Sequence, residues 1–181
     1  MENKDYVTRI NLKTATEQRE KLIKFCLHDH DKDPFLAIGW SCVDFESDDY
    51  SAFYDTVVEY VHGQNRRLNP ALNTFKSARV NDLFWTRDLN GVYWICRVKK
   101  TAKAHLNKEL DIGAILPVEA YEFELEVPGQ IKASFNRARG GIVQKLYYPA
   151  IIEYSKFVFN KLSGKNYYAL NLAIANNVIE N

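Results

Sequence analysis

Arginines next to glycines are the residues of this chain whose types and spacing most clearly point to chemistry. The segment 136–141 contains Arg137 and Arg139, followed by two glycines. Guanidinium forks fit phosphate oxygens, and glycines let backbone N–H groups approach an anion. We predict that Arg137 and Arg139 bind phosphate; the alternative is a solvated hairpin tip whose glycines serve only the turn. A second basic pair, Arg66 and Arg67, is predicted to contact phosphate unless it is simply a solvated face.

Aromatic side chains concentrate in residues 82–99, where two apolar runs meet at Asn90-Gly91. A two-residue type I′ turn needs positive φ at both central residues, which Asn-Gly supplies, so we predict a β-hairpin here. Directly paired side chains lie on one side of a hairpin. The predicted register places Trp85, Arg87 and Trp94 on one face of the hairpin. It places Asp88 and Tyr93 on the opposite face.

The hairpin is predicted to form one wall of a cleft. Neither of its faces has the simple polar pattern of a solvated sheet, so one face should be covered and the other should look into a semi-polar cleft. The alternative is that Trp85 and Trp94 fill the core and that Arg87 stacks on Trp94. Gly39 indicates a bulge or a close backbone approach, which would place Trp40 at the opposite rim unless it too is a core residue.

Periodicity and caps predict the elements that must position these residues. Strands are predicted at residues 6–12, 35–40, 118–127, 130–135 and 142–146. Helices are predicted from the capping box 14–17 to about Leu27, over 50–62 with Asp48 or Asp49 as cap, over 70–78 and over 149–162. Residues 104–112 are predicted to be a turn or a short helical loop. This order predicts an α+β fold with a small mixed or antiparallel β-barrel flanked by helices.

Length and composition set outer limits. The 181 residues suit one domain, predicted over 1–164, with a tail or linker over 165–181. A formal net charge of +1 excludes a polycation that holds nucleic acid by bulk charge. Three widely spaced cysteines favour neither a disulfide framework nor a zinc ribbon. The charged start and the lack of a long apolar run predict no membrane segment and a cytoplasmic location.

Motifs for catalysis are not found in the sequence. It has no glycine-rich nucleotide loop, nucleophile elbow or zinc-protease motif, so we predict a protein that is not an enzyme, with no catalytic residue and no cofactor. His28 and His30 beside carboxylates could be drawn as a divalent-metal site, but a polar loop closing a helix explains the same residues, no distant ligand set is apparent, and no metal site is predicted. A small nucleotide-acting enzyme that uses these histidines or His105 is the least favoured alternative.

Three segments, residues 36–40, 81–88 and 91–98, resemble the PUA-like superfamily. Within it the chain is most similar to EVE-type and YTH-like readers, including modules that precede nucleases in modification-dependent restriction systems. The resemblance covers about residues 35–100, with 127–146 as the return strands of the barrel. The EVE branch commonly has Gly-Asp where this chain has Asn81-Asp82.

The resemblance implies a nucleic-acid reader in a restriction or antiphage context. In this superfamily the barrel is a nucleic-acid platform, and an aromatic cage accepts a modified base that is flipped or single-stranded. It implies modified DNA as the favoured ligand, RNA as a possible one, and a nuclease or ATPase domain or subunit as a partner. The implied walls of the base pocket are Trp40, Trp85, Trp94 and Tyr93. The residues implied to contact base edges are Arg87, Asp88 and Asn90. The residues implied to contact phosphates are Arg137, Arg139, Arg66 and Arg67. The alternative is a protein-interaction module that kept the fold without a base pocket.

Overall fold

The computed structural model of the chain describes residues 4–29, 31–137, 140–171 and 173–174. Its strands are β1 (Val7–Ile10), β2 (Phe35–Ile38), β3 (Leu83–Arg87), β4 (Tyr93–Val98), β5 (Lys103–Asn107), β6 (Ile112–Phe123) and β7 (Val143–Leu146). Its helices are α1 (Arg19–Ile23), which continues into a π-helical segment (Lys24–His28), α2 (Tyr50–Gly63), α3 (Pro70–Ser77), α4 (Gly129–Phe135) and α5 (Pro149–Ser163). None of these helices has the length and apolar run needed to cross a bilayer.

The sheet is mixed, as predicted. β1 pairs in parallel with β3, whereas β1 with β7, β3 with β4, β2 with β6 and β5 with β6 are antiparallel. With helices between the strands, the described residues form an α+β fold.

Two compact units alternate along the sequence. The first contains Met1–Asn11, Asn81–Arg97 and Ala120–Asn181, and the second contains Leu12–Val80 and Val98–Glu119. β6 belongs to both, because its residues 112–119 fall in the second unit and 120–123 in the first.

The core of the first unit lies on one face of β1, β3, β4 and β7. In this unit the strands follow the order β4-β3-β1-β7. Helices α4 and α5 supply apolar side chains to the core, among them Ile131, Ile151 and Phe159, each almost fully buried. Proline at the first turn and Gly164 at φ 68° delimit α5, as the sequence predicts.

The second unit contains two helices with the predicted caps. The Asp49 carboxylate accepts the N–H groups of Ser51 and Ala52, at 2.9 and 3.4 Å, at the start of α2. The Asn69 side chain accepts the Ala71 N–H at 2.9 Å, with proline at the first position of α3. These contacts satisfy N–H groups that a helix leaves unpaired at its first turn.

In the second unit one prediction is wrong and another is wrong in part. The capping box does not form, because the Thr14 hydroxyl donates to the carbonyl of Leu110 at 2.7 Å and α1 begins only at Arg19. The predicted turn or loop over residues 104–112 is confirmed only for 108–111; residues 104–107 belong to β5, which pairs with β6 with an irregularity in the ladder. In the first case a partner distant in sequence decides the local structure, whereas β5 pairs with the strand that directly follows it.

The predicted return strand at residues 130–135 is also wrong, because this segment is helix α4. Ile131 and Phe135 are both buried and lie four residues apart, which is the spacing of one helix face. The N–H of Lys132 donates to the carbonyl of Pro128 at 3.1 Å and closes the first turn. The acidic strand predicted to reach Val127 ends at Phe123 as β6, and Leu125 beyond it is 63% exposed.

Candidate functional site

The connection between β3 and β4 is a three-residue loop, not the predicted two-residue turn. The N–H of Asp88 donates to the carbonyl of Val92 at 2.9 Å, and within the loop Gly91 alone has positive φ, at 79°. The Asp88 carboxylate accepts the N–H groups of Asn90 and Val92, each at 2.9 Å. A type I turn followed by a left-handed glycine is a common loop of this length. Asp88 and Asn90, predicted to read base edges, therefore build this turn.

This loop shifts the hairpin register by one residue. Thr86 pairs with Trp94 and Arg87 pairs with Tyr93, whereas the predicted register paired Arg87 with Trp94. Because paired side chains point to the same face, Arg87 and Tyr93 share a face with Trp85, and Trp94 lies on the opposite face. The predicted face that combined Trp85, Arg87 and Trp94 is wrong.

Both hairpin tryptophans are buried. Trp85 is fully buried; its indole N–H donates to the Ser155 hydroxyl at 2.9 Å, and its ring meets Phe123 edge-on at a centroid distance of 5.4 Å. Trp94 is 7% exposed on the other face. The structure does not bring these two predicted pocket walls together.

Arg87 and Tyr93 lie together at the end of the hairpin. The Arg87 Nη1 donates to the Asn136 Oδ1 at 3.0 Å and lies 3.5 Å from the Tyr93 hydroxyl. Its guanidinium carbon is 5.2 Å from the centre of the Phe135 ring, and that ring meets Tyr93 edge-on. Both side chains are partly exposed, so Arg87 is held by neutral groups at the surface.

A third residue of this site, Arg9, was missed by sequence reasoning. It pairs with Trp85 on one side and Gln144 on the other, so its side chain points to the same face as Arg87. Arg9 is 1% exposed, and its Nη1 donates to the carbonyls of Gly141 and Ile142 at 2.6 and 3.2 Å. The available signal in the sequence was one arginine between β-branched residues in a predicted strand.

One glycine of the predicted phosphate loop, Gly140, lies against Arg9. The Gly140 N–H donates to the carbonyl of Arg137 at 3.0 Å, and a Cβ placed on Gly140 would lie 3.3 Å from the Arg9 Nη2. That nitrogen also lies 3.3 Å from the Gln144 Oε1. Arg137 is exposed beside it. Arg139 lies outside the described residues.

We call Arg9, Arg87 and Arg137 the arginine cluster. Within the described ranges, no ion pair joins any of the three to a carboxylate. Burial lowers the pKa of Arg9, and the nearby charge of Arg137 lowers it further. An arginine nevertheless keeps its proton in proteins, so the cluster carries three positive charges.

The buried member of the cluster is incompletely bonded. The Arg9 Nε is buried and has no hydrogen-bond partner in the described part of the chain. A charge removed from water is costly unless a counter-charge compensates it. The neutral carbonyl and amide acceptors around Arg9 satisfy hydrogen bonds but leave its charge uncompensated. The cluster is therefore chemically suited to attract an anion.

The remaining predicted site residues belong to the second unit. Trp40 is partly exposed and has φ 78°, a left-handed conformation that is unusual for a bulky side chain. The predicted close approach at Gly39 is confirmed, since a Cβ on Gly113 would lie 2.2 Å from the Gly39 carbonyl oxygen. Arg66 and Arg67 are exposed between α2 and α3.

The Asp111 carboxylate holds the segment around Trp40 in place. Its Oδ1 accepts from the Ser41 N–H and hydroxyl at 3.1 and 2.7 Å, and its Oδ2 accepts the Ala15 N–H at 2.8 Å.

Among the residues that the structure describes, no group of three or more His, Cys, Asp or Glu side chains could hold a metal ion. His30, one half of the pair weighed as a metal site, lies outside them.

Comparisons with known proteins do not name a function. No protein-family model, curated protein or solved structure matches the chain. The residues that can be assigned chemistry are those of the arginine cluster and the aromatic rings beside it, Phe135 and Tyr93.

Proposed function

We propose that this protein binds nucleic acid and that the arginine cluster contacts its phosphates. The observation that carries the proposal is the meeting of Arg9, Arg87 and Arg137 around one loop without a carboxylate partner among the described residues. Phosphate oxygens are the acceptors that guanidinium forks fit best in nucleic-acid complexes.

The accessibility of the cluster supports this role. Arg137 is exposed and Arg87 is partly exposed, so both can contact a ligand. Arg9 is buried and contributes to the positive electrostatic potential at the cluster without contacting the ligand. The partners of Arg87, the Tyr93 hydroxyl and the Asn136 side chain, are neutral. A phosphate oxygen competes well for a donor whose present acceptors carry no charge.

The resemblance to EVE-type and YTH-like readers supports the further proposal that the ligand carries a modified base. The left-handed backbone of Asn81, at φ 75°, is one that glycine adopts freely, which fits the Gly-Asp common at this place in the EVE branch. With Trp85 in the core, we assign base stacking to Tyr93, which is partly exposed beside Arg87. A PUA-like barrel, modified DNA, and a nuclease or ATPase partner in restriction or antiphage defence belong to this proposal.

Titration with labelled oligonucleotides tests the proposal. Single- and double-stranded DNA and RNA, each unmodified or carrying methylated, hydroxymethylated or glucosylated cytosine or methylated adenine, are titrated by fluorescence anisotropy at two salt concentrations. We expect saturable binding that weakens with salt. Arg137→Ala should weaken binding to all sequences alike and reduce the salt slope by about one unit, as expected for one lost phosphate contact.

Lys161→Ala is the matched control, because it removes one positive charge from an exposed position in the last turn of α5. It should leave affinity and salt slope nearly unchanged. Absence of binding to every oligonucleotide at low salt would overturn the proposal. Equal losses in Arg137→Ala and Lys161→Ala would show that only net charge matters.

A protein-interaction module is the second candidate, and one observation favours it. Trp85 and Trp94, at 0% and 7% exposed, are both buried, as expected if the fold were kept without a base pocket formed by these rings. Under this alternative, oligonucleotides bind weakly and without preference for a modification. Tyr93→Ala then leaves their affinities unchanged, whereas a reader loses its preference for the modified base.

A further inference from the structure

The charge at the arginine cluster exceeds what one internal phosphodiester neutralises. Arg87 and Arg137 are the accessible members, and together they carry two positive charges. Arg9 adds a third, buried beneath Gly140 and out of reach of solvent ions. A phosphodiester carries a single negative charge, so two of the three positive charges stay uncompensated after such a group binds.

A terminal phosphate monoester matches this charge better. By the properties of phosphorylated side chains, a monoester carries about −1.5 to −2 charges near neutral pH and has three acceptor oxygens. We propose that the arginine cluster is a binding site for a terminal phosphate monoester, in particular the 5′-phosphate end of a nucleic-acid strand. This inference rests on the proposed function and names the group that the site prefers.

The backbone N–H of Gly140 is not available to a ligand at the cluster. The Gly140 N–H already donates to the Arg137 carbonyl at 3.0 Å, so it does not point freely at an anion. A Cβ at this position would approach the Arg9 Nη2 to 3.3 Å, which is closer than most such contacts. Glycine therefore keeps the backbone close to the guanidinium while leaving recognition to Arg87 and Arg137.

The test compares three single-stranded DNA oligonucleotides of one sequence, labelled at the 3′ end. One ends in a 5′-phosphate, one in a 5′-hydroxyl, and one in a 5′-methyl phosphate, which keeps the phosphorus but carries a single charge. We expect the 5′-phosphate strand to bind about tenfold more tightly than either of the others, the ratio expected for one added charge-assisted contact. Competition with a nucleoside 5′-monophosphate and with inorganic phosphate distinguishes a strand end from a free small phosphate as the source.

Variants link the preference to the cluster. Arg137→Ala, at an exposed position, should reduce the tenfold ratio towards one, while Lys161→Ala should preserve it. Arg9→Lys keeps the buried charge and loses the fork; it should retain part of the preference if charge decides, with folding checked by circular dichroism. If the wild-type protein bound the three oligonucleotides with equal affinity, this inference would be overturned and the proposed function would stand. If it bound none of them, both would be overturned.

Discussion

Trp85 and Arg9 differ in whether their buried N–H groups are all hydrogen-bonded. The Trp85 indole N–H has one clear acceptor, Ser155, whereas the Arg9 guanidinium is bonded to carbonyl and amide oxygens but keeps an unpartnered Nε in the described part of the chain. The first arrangement contributes to stability. The second leaves a net charge at the surface end of the core, which is the property that a binding site uses.

At the residue scale we predict that Ser155→Ala destabilises the protein. The Ser155 hydroxyl is fully buried; it accepts from the Trp85 indole at 2.9 Å and donates to the Ile151 carbonyl at 2.7 Å. Alanine leaves the indole N–H buried without its acceptor, which costs about 1 to 3 kcal/mol. The measurement is the free energy of unfolding from urea titration followed by tryptophan fluorescence.

The matched control is Ser51→Ala, which changes an exposed serine in the first turn of α2. Its Asp49 contact uses the backbone N–H and is kept. The control should stay within about 0.5 kcal/mol of the wild type. A loss in Ser155→Ala no larger than in this control would contradict the hydrogen bond as a source of stability.

At the element scale the hairpin shows how one side chain selects a loop. Asp88 is 7% exposed, and its carboxylate accepts two backbone N–H groups of the loop. These bonds fit a type I turn that closes with a left-handed glycine. The aspartate therefore fixes both the loop length and the register of β3 against β4.

This geometry predicts unequal effects at the two positions of Asn90-Gly91. Gly91 has φ 79°, so Gly91→Ala should destabilise the protein by roughly 1 to 2 kcal/mol, the cost of an L side chain in the left-handed region. Asn90 has negative φ, and Asn90→Ala should change stability by less than about 0.5 kcal/mol. Urea unfolding of the two variants measures the difference. A type I′ turn would require positive φ at both positions. Comparable losses of stability in the two variants would therefore contradict the three-residue loop and support a type I′ turn.

Local signals predicted the helix caps and the existence of the hairpin, but not the register of the hairpin. Asp49, Asn69 and Pro149 were predicted correctly, because caps and first-turn prolines act within a few residues. The Asn-Gly pair predicted a hairpin correctly, but the signal of Asp88 two residues earlier was not used, and the register was wrong by one. Because of this difference in register, Trp94 lies on the face opposite Trp85, and the predicted pocket face is not formed.

The candidate site was predictable only in part. Arg87 and Arg137 were identified as functional candidates because of their residue types and their positions next to turns. Arg9 was not, because its role depends on β1 lying between β3 and β7, a pairing between segments far apart in sequence. The error at α4 hid the positions of Phe135 and Asn136, both of which contact the cluster.

At the scale of the whole molecule, charge is balanced overall but uneven locally. The chain has 24 lysines and arginines and 23 aspartates and glutamates, so bulk attraction to a polyanion is weak. An arginine cluster that makes no ion pair with a carboxylate among the described residues is the proposed local attractor for a polyanion. Binding should depend on that cluster and not on the total charge, which is why variants that remove equal charge at different places are the informative comparison.

The burial of the core throughout the molecule can be tested through its cysteines. Cys42 is exposed, whereas Cys26 in the second unit and Cys96 in the first are 1% and 0% exposed. Burial raises the pKa of both buried thiols, so they remain protonated and unreactive in mildly alkaline buffer. With Ellman's reagent we expect one of the three thiols to react in the native protein and all three in concentrated guanidinium chloride.

The same pKa shifts determine how stability changes with pH. The native state keeps the protons of Cys26 and Cys96, while the unfolded state loses them above the ordinary thiol pKa of about 8.5. The unfolded state then binds fewer protons, so the stability contributed by these thiols is present below that pH and falls as the pH rises. Burial raises the pKa of Tyr154 in the same direction.

In the experiment with Ellman's reagent, Cys42→Ser should abolish the fast reaction of the native protein. A second thiol that reacts as fast as Cys42 would contradict the burial of one of the two cores.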